Sequence, residues 1–292
     1  MSGDSELGSF LRGQRARVRP EDIGLTTGTH RRVPGLRREE VARLAGVSTD
    51  YYVRLEQGRV TPSEVTLTAI GRVLRLDEAG IAYLIAVGRP RRSGDRRRGR
   101  TVQRVREDLR ELLDAWPDQP AYVIGRRTDV LAINPLGRAL LTDFEARPAN
   151  DRNYLRWLLL SPEARSLYRD WSQVGSDVTA ILRADAGRYP DDPRTAELVG
   201  ELAMKSEQFR QWWAEHRVLA YQHGVKRFRH PVVGDLDLRY QGLIVPGADD
   251  QTVFVYSAAP GSPSAEALQL LASWSAEEAH HPRENRNSTH HD

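Results

Sequence analysis

Between Val41 and Gly58 two short runs of helical apolar spacing are separated by only three residues, which is the tightest constraint the sequence carries. Val41, Leu44 and Ala45 share one face of the first run, and Gly46 breaks it. The period restarts after Ser48 with Tyr51, Tyr52 and Leu55 and stops at Gly58. Leu7, Phe10, Leu11, Gln14 and Val18 mark a helix upstream. Leu67, Ile70 and Leu74 mark one downstream, and Ile81, Leu84 and Ile85 mark a last one opened by Asp77. Five short helices of this kind close a small core, giving a first domain at 1–88. Between the first two lies a polar stretch, Arg19 to Arg37, broken by Pro20, Gly24, Gly28, Pro34 and Gly35.

At 292 residues the chain is long enough for two compact units. Its net charge of +3 hides a partition: up to Arg106 there are 22 basic against 12 acidic residues, leaving 21 against 28 in the remainder. The front is built for a polyanion and the back is not. Arginine supplies nearly all of the positive charge, and its planar fork suits phosphate oxygens and guanine edges. Biased codon usage accounts for arginine over lysine, but not for the asymmetry. Cys 0 removes disulfides, thiol nucleophiles and cysteine-ligated zinc. No stretch approaches a membrane span and the first residues lack a signal-peptide core, so a cytoplasmic, nucleoid-associated protein is expected.

Residues 89–104 read as a basic linker of Pro, Gly and Arg without apolar period. A second domain, 105–275, starts with a helix holding Leu109, Leu112 and Leu113. Strands follow at Tyr122 to Gly125 and Val130 to Ile133. Helices are expected at Leu155 to Leu160, Ala164 to Trp171, Val174 to Ala186, Thr195 to Met204 and Glu207 to His216. Further strands are expected at Lys226 to Phe228, Leu236 to Val245 and Thr252 to Ser257, and a closing helix at Ala265 to Trp274. Strands flanking a helical insert imply an α+β fold with an antiparallel sheet. The tail, 276–292, is polar and expected to be disordered.

The segment LRREEVARLAGVSTDYYVRLEQGRVTPS has what a helix-turn-helix needs: small Ala42 and Gly46 where the helices approach, apolar Val47 after the turn, Ser48 as N-cap, and Tyr52 and Leu55 to bury. With Leu55-Glu56-Gln57-Gly58 at its end, it resembles the lambda-repressor-like, or XRE, helix-turn-helix family over Leu7 to Gly88. That resemblance implies a five-helix DNA-binding domain whose recognition helix enters the major groove. Carried over by position, Ser48, Thr49, Asp50, Tyr51 and Arg54 lie at the DNA, with Thr49, Asp50 and Arg54 as base readers, Arg38 as a phosphate clamp and Arg59 nearby. Arg54 suits a bidentate pair with guanine and Thr49 the thymine methyl. Asp50 either accepts from cytosine or complements the helix dipole. Arg38, Arg43 and Arg59 are otherwise solvated helix charges. The connection between the first two helices is long for this family, and its Thr26, Thr27, His30, Arg31 and Arg32 either touch DNA or form a surface insertion.

All six Trp, at 116, 157, 171, 212, 213 and 274, lie in the second domain, and Phe209, Trp212, Trp213 and His216 share a helical face. They either fill a core or enclose a pocket. The text PAYVIGRRTDVLAINPLGRALL, NYLRWLLLSPEARSLYRDW, FRQWWAEHRV, GVKRFRHPVVGDLDLRYQGL and PGSPSAEALQLLASW resembles the MmyB-like ligand-binding domain, found behind XRE-type helix-turn-helices in bacterial transcription regulators. The resemblance implies a PAS-like sheet, covered by helices on one face, with an apolar cavity for a fatty-acid-like ligand. Ile133 replaces an aromatic residue that often precedes the Asn-Pro in this family. Candidate walls are Val123, Ile133, Trp157 and Trp213; candidates for the polar end are Asn134, His216, Arg227 and His230. His216 and His230 are otherwise structural hydrogen-bonding groups at a helix end and a strand end.

No phosphate loop, GxSxG or HExxH motif is present, and the pairs His280-His281 and His290-His291 have no acidic residue at zinc spacing. Asp235 and Asp237 alternate with Leu236 and Leu238 and read as a solvated face. The expectation is therefore a regulator with no catalytic residue, metal or cofactor. Its expected partners are operator DNA, an apolar ligand and a second copy of the chain. Against it stand an acyl- or lipid-processing enzyme with His216 or His230 as base, and a ligand-free interaction module.

Overall fold

The structure is a computed structural model that describes residues 5–25, 31, 33–89, 103–220 and 223–280. The chain divides into two compact units, 1–101 with 177–220, and 102–176 with 221–292.

The first unit is helical. Helix α1 (Glu6–Arg17) starts at Ser5, whose Oγ accepts from the Gly8 N–H at 3.1 Å. Then come α2 (Arg38–Leu44), α3 (Thr49–Glu56), α4 (Glu64–Val73) and α5 (Glu78–Gly88). Side-chain caps at Ser48, Ser63 and Asp77 open the last three, each accepting a backbone N–H that the helix cannot satisfy itself. Phe10, Leu11, Leu36, Val41, Tyr52, Leu55, Leu67, Ile70 and Leu84 are fully enclosed in one core. Gly8 lets α1 lie against the end of α3, because a methyl there would overlap the Glu56 carbonyl. The same unit takes in the last part of α10 (Trp171–Arg188), α11 (Pro193–Lys205) and α12 (Glu207–Ala214). Val218 joins its core, and Gly187 meets the ring of Tyr83.

The second unit holds α6 (Glu107–Asp114), β1 (Ala121–Ile124), β2 (Val130–Ile133), α7 (Pro135–Leu140), α8 (Tyr154–Leu160) and α9 (Pro162–Leu167), then the start of α10. It resumes with β3 (Gly224–His230), β4 (Gly234–Val245), β5 (Ala248–Ser257) and α13 (Pro263–His280). The strands form one antiparallel sheet in the order β2-β1-β5-β4-β3. Cross-strand pairing puts Tyr122 opposite Ile133 and Phe254, Tyr240 opposite Tyr256, Lys226 opposite Leu238 and Phe228 opposite Leu236. Since side chains alternate, these residues share one face. Ala121, Val123, Ala132 and Val253 are on the other, packed with Leu109 and Leu113 of α6.

The expected fold class holds: a helical N-terminal region, then a five-stranded antiparallel sheet with helices. Three local expectations differ. The helix expected over Ala164 to Trp171 ends at Leu167, because the chain turns extended: Tyr168 bridges to Phe228, and the Arg169 N–H donates to the Arg227 carbonyl at 2.9 Å. The helical insert between β2 and β3 is present, but 177–220 group with the N-terminal helices. The last helix continues to His280, beyond the expected end at Trp274. Residues 90–102 of the basic linker and 281–292 of the tail lie outside the described residues.

Candidate nucleic-acid interface and aromatic cluster

The turn between α2 and α3 is built from backbone chemistry. Gly46 takes φ 71°, a region costly for any residue with a Cβ, and the Val47 N–H returns to the Ala42 carbonyl at 2.9 Å. Ser48 Oγ accepts from the Tyr51 N–H at 3.1 Å, so α3 starts at Thr49. Tyr52 and Leu55 anchor the helix inward. Thr49, Asp50, Arg54 and Arg59 are exposed, and among the described residues their side chains make no hydrogen bond or ion pair. Tyr51 is half-buried. The exposed face of α3 thus offers a hydroxyl-methyl and a carboxylate from its first turn and a donor fork from its last to an external surface.

At the other end of α3 sits a residue whose role the sequence alone does not show. Glu56 is buried with only 2% of its side chain exposed, and it accepts from Arg15 Nε at 2.9 Å and Arg38 Nε at 2.7 Å. One carboxylate therefore ties α1, α2 and α3 together, and Arg12 Nη1 adds a bond to the Glu56 carbonyl at 3.3 Å. The signal was the Glu of Leu55-Glu56-Gln57-Gly58, a charge beside a core leucine. Arg38 spends one donor on Glu56 and stays half exposed, so its guanidinium is fixed in orientation with most of its five donors unspent. Arg15 also donates to the Leu36 carbonyl at 2.8 Å while Leu36 N–H donates to the Arg15 carbonyl at 2.9 Å, which docks the end of the long connection on α1.

Within that connection Arg31 makes a two-pronged pair with Glu40, both bonds at 2.7 Å, and Glu40 accepts from the Arg37 N–H at 2.6 Å. Arg31 holds the Glu40 carboxyl below its ordinary range. Arg31 is therefore a brace between loop and α2. Thr26, Thr27, His30 and Arg32 lie outside the described residues.

In the second unit the Tyr122 face of the sheet meets α8, α9 and the Tyr168 segment in a cluster of rings. Tyr122 stacks on Phe254 at 5.2 Å and on Tyr154 at 5.9 Å; Trp157 meets Phe144, Tyr154 and Tyr168 at 5.5, 5.7 and 6.2 Å. Lys226 reaches into this cluster. Its Nζ donates to Tyr154 Oη at 3.2 Å and Tyr256 Oη at 3.1 Å, and it lies 5.0–5.9 Å from the ring centres of Tyr154, Tyr168, Tyr240, Phe254 and Tyr256. The hydroxyls continue through Tyr122 to Tyr256 at 3.2 Å and Tyr154 to Tyr168 at 2.6 Å. Burial pushes the Tyr122 and Tyr168 phenols well up, and Tyr256 up to about 12 against the pull of Lys226. Burial opposes the charge on Lys226, but the Tyr154 and Tyr256 oxygens outweigh it and raise its pKa. Lys226 Nζ is thus held between two tyrosine oxygens.

Of the eight residues expected to line one cavity, Ile133 and Trp157 are near this cluster, Ile133 directly opposite Tyr122 and Trp157 against Tyr154. The structure places the other six elsewhere. Val123 faces α6, because strand alternation turns it from Tyr122. Arg227 fails by the same one-residue step: it is exposed and pairs with Asp170 at 3.3 Å, while its neighbour Lys226 faces the rings. Asn134 is fully buried and fully used. Its Oδ1 accepts from Ala121 and Gly137 N–H, and its Nδ2 donates to the carbonyls of Leu113, Trp116 and Gln119. It is an N-cap that knots α6, β1 and α7 together. His230 shares the Lys226 face but is spent on backbone. The Val232 N–H donates to Nδ1 at 3.3 Å, leaving Nε2–H to donate to the Ala139 carbonyl at 2.9 Å, and burial lowers its pKa.

Trp213 and His216 belong to the first unit. Arg183 lies 4.0 Å over the Trp213 ring, donates to the Trp213 carbonyl and pairs with Glu6 at 2.8 Å; Glu6 also accepts from Tyr83 Oη at 2.6 Å. The His216 carbonyl accepts from Gln14 Nε2 at 2.8 Å. Burial, and after it the Arg183 charge, lowers the pKa of His216. Asp235 and Asp237 are half exposed and lie 3.5 Å from Arg169. Among the described residues no group of three or more His, Asp or Glu is gathered to hold a metal, and no helix is long and apolar enough to cross a membrane.

Residues 105–271 match the MmyB-like transcription regulator ligand binding domain, and residues 6–84 match a helix-turn-helix domain. No curated protein matches the chain.

Proposed function

Because the chain belongs to the family of the MmyB-like transcription regulator ligand binding domain and carries a helix-turn-helix domain ahead of it, we propose a DNA-binding transcription regulator whose operator affinity is set by an apolar small molecule. The helices within 1–88 dock on duplex DNA, and the unit built on the five-stranded sheet forms a PAS-like receptor, with a fatty-acid-like molecule as the ligand class. The observation that carries the DNA reading is the exposed face of α3, with Thr49, Asp50 and Arg54 outward, and with Arg38 held by Glu56 at the end of the same helix. Arg54 reads a guanine edge in the major groove, and Arg38, with Arg59, contacts phosphate. A homodimer reading a two-fold operator fits the usual geometry of such modules. The protein acts within the cytoplasm on chromosomal DNA.

The receptor reading is supported by the ring cluster around Ile133, Trp157 and Lys226, which combines apolar walls with one fixed charge. Both matched families are regulator domains, and of the two histidines an enzyme would use as base, the His230 ring is spent on backbone contacts and burial lowers the pKa of His216. Selection of bound duplexes from a random library by the full chain tests the DNA reading. An enriched two-fold motif is expected; a bound pool that stays random would contradict it. Native mass spectrometry of the purified protein tests the receptor reading through a co-purifying small molecule.

A further inference from the structure

Helix α1 is gripped on two sides. On one, a methyl on Gly8 would overlap the Glu56 carbonyl, Arg12 donates to that carbonyl at 3.3 Å, and Arg15 donates to the Glu56 carboxylate at 2.9 Å. These contacts hold the end of α3. On the other, Glu6 pairs with Arg183 at 2.8 Å, a methyl on Gly13 would press on the His216 ring, and Arg17 lies 3.7 Å from Glu215. At about 100° per residue, Gly8, Arg12 and Arg15 fall opposite Glu6, Gly13 and Arg17. Gln14 adds its bond to the His216 carbonyl at 2.8 Å, and Ala184 and Val218 pack into the same core.

Arg183 is the most enclosed of these contacts. Its side chain is 3% exposed, lies 4.0 Å over the Trp213 ring and donates to the Trp213 carbonyl. Glu6 balances its charge and also accepts from Tyr83 Oη at 2.6 Å. The residue before Glu6, Ser5, lies against Gly58 just past α3. A buried guanidinium that lost Glu6 would be stranded, so the pair fixes the first turn of α1 where it meets α3. Arg183, Trp213 and His216 lie within 105–271, the stretch matched to the ligand binding domain, whereas α1 and α3 lie within 6–84, matched to the helix-turn-helix. A buried charge pair therefore joins the two matched stretches inside a single core.

Resting on the reading of α3 as the DNA-reading helix, we infer that Arg183 is a positioning residue for operator recognition: it seats α1 through Glu6, and α1 seats α3. With these contacts made, Thr49, Asp50 and Arg54 are exposed, so the closed arrangement is the one open to DNA and its release lowers operator affinity. The receptor stretch thereby acts on base reading without touching DNA. Base contacts depend on the orientation of α3, while phosphate contacts tolerate its loosening.

Anisotropy titration of the full chain, well below its melting temperature, compares a selected duplex with one of unrelated sequence. Arg183→Met should weaken the selected duplex about tenfold and leave the unrelated one unchanged. Arg183→Lys, which keeps a cation for Glu6 and Trp213, should restore most of the loss, and Glu6→Gln should add little in the Arg183→Met background. Unchanged affinity for the selected duplex in Arg183→Met, with only a lowered melting temperature, makes the pair merely structural and overturns the inference. An equal loss on both duplexes overturns it as well. A parent that prefers no duplex overturns the DNA reading itself, and the inference with it. If Arg183→Met fails to fold, Gln14→Met decides: a loss confined to the selected duplex supports the inference, and no loss, or an equal loss on both, overturns it.

Discussion

Replacing Glu56 by alanine should cost the first unit about 3 kcal/mol, and the number follows from what each of its two partners is left with. Arg15 has 17% of its side chain exposed, so losing the carboxylate strands a largely buried guanidinium; breaking a buried pair from one side costs about 3–5 kcal/mol. Arg38 is half exposed and can turn to water, so its pair adds only about 0–1 kcal/mol. The low end of the first range is appropriate because Arg15 keeps the Leu36 carbonyl. Urea unfolding followed by circular dichroism measures the loss, and a stability of about 5–15 kcal/mol makes it large. In an Arg15→Leu background, Glu56→Ala should cost about 2 kcal/mol less, since the stranded charge is gone. A loss below about 1 kcal/mol in the parent background, with no coupling to Arg15, would refute the buried-hub reasoning.

Asn134→Ala should destabilise the second unit by about 3 kcal/mol or more, because it leaves the buried N–H groups of Ala121 and Gly137 without their acceptor; unfolding curves measure it. His216 and His230 both have pKa values below the ordinary 6.5, so the unfolded chain takes protons first. Their contribution to stability is present above about pH 6.5 and lost as pH falls; unfolding at pH 7 and pH 5 should show that loss, and His216→Asn should reduce it. A fragment 1–88 should melt below the first unit of the full chain, because Gln14 and Glu6 lose partners at His216 and Arg183. Each kcal/mol lost lowers the melting temperature by about 4–8 °C, read by calorimetry.

Most of the fold was legible because its signals are local. Ser48, Ser63 and Asp77 are caps whose chemistry is written in the residue type, and the alternation of Leu236, Leu238 and Tyr240 gave the strand and its buried face. Exposed Thr49 and Arg54 were legible for the same reason, as the cap and two anchors fix what points outward. The candidate ligand residues were less so. Choosing between Arg227 and Lys226 depends on strand register, which is set by pairing with β4 and is invisible to composition. Asn134 looked like a polar site residue, yet its partners come from three separate segments. Trp213 and His216 carried the right chemistry in the wrong unit, since nothing in a helical period says which core a helix joins. Glu56 was overlooked because a buried carboxylate is readable only once Arg15 and Arg38 are brought to it.

The central claim is that the exposed face of α3 reads bases while Arg38 grips the backbone. It is tested most directly by measuring the affinity of parent, Arg54→Ala and Arg38→Ala for a selected duplex and for every single-base variant of it. The account predicts that Arg54→Ala loses about 1–3 kcal/mol of discrimination at one position per half-site. Arg38→Ala should weaken all duplexes alike and lower the salt slope by about one. If both variants bind every duplex as the parent does, α3 is not the reading helix.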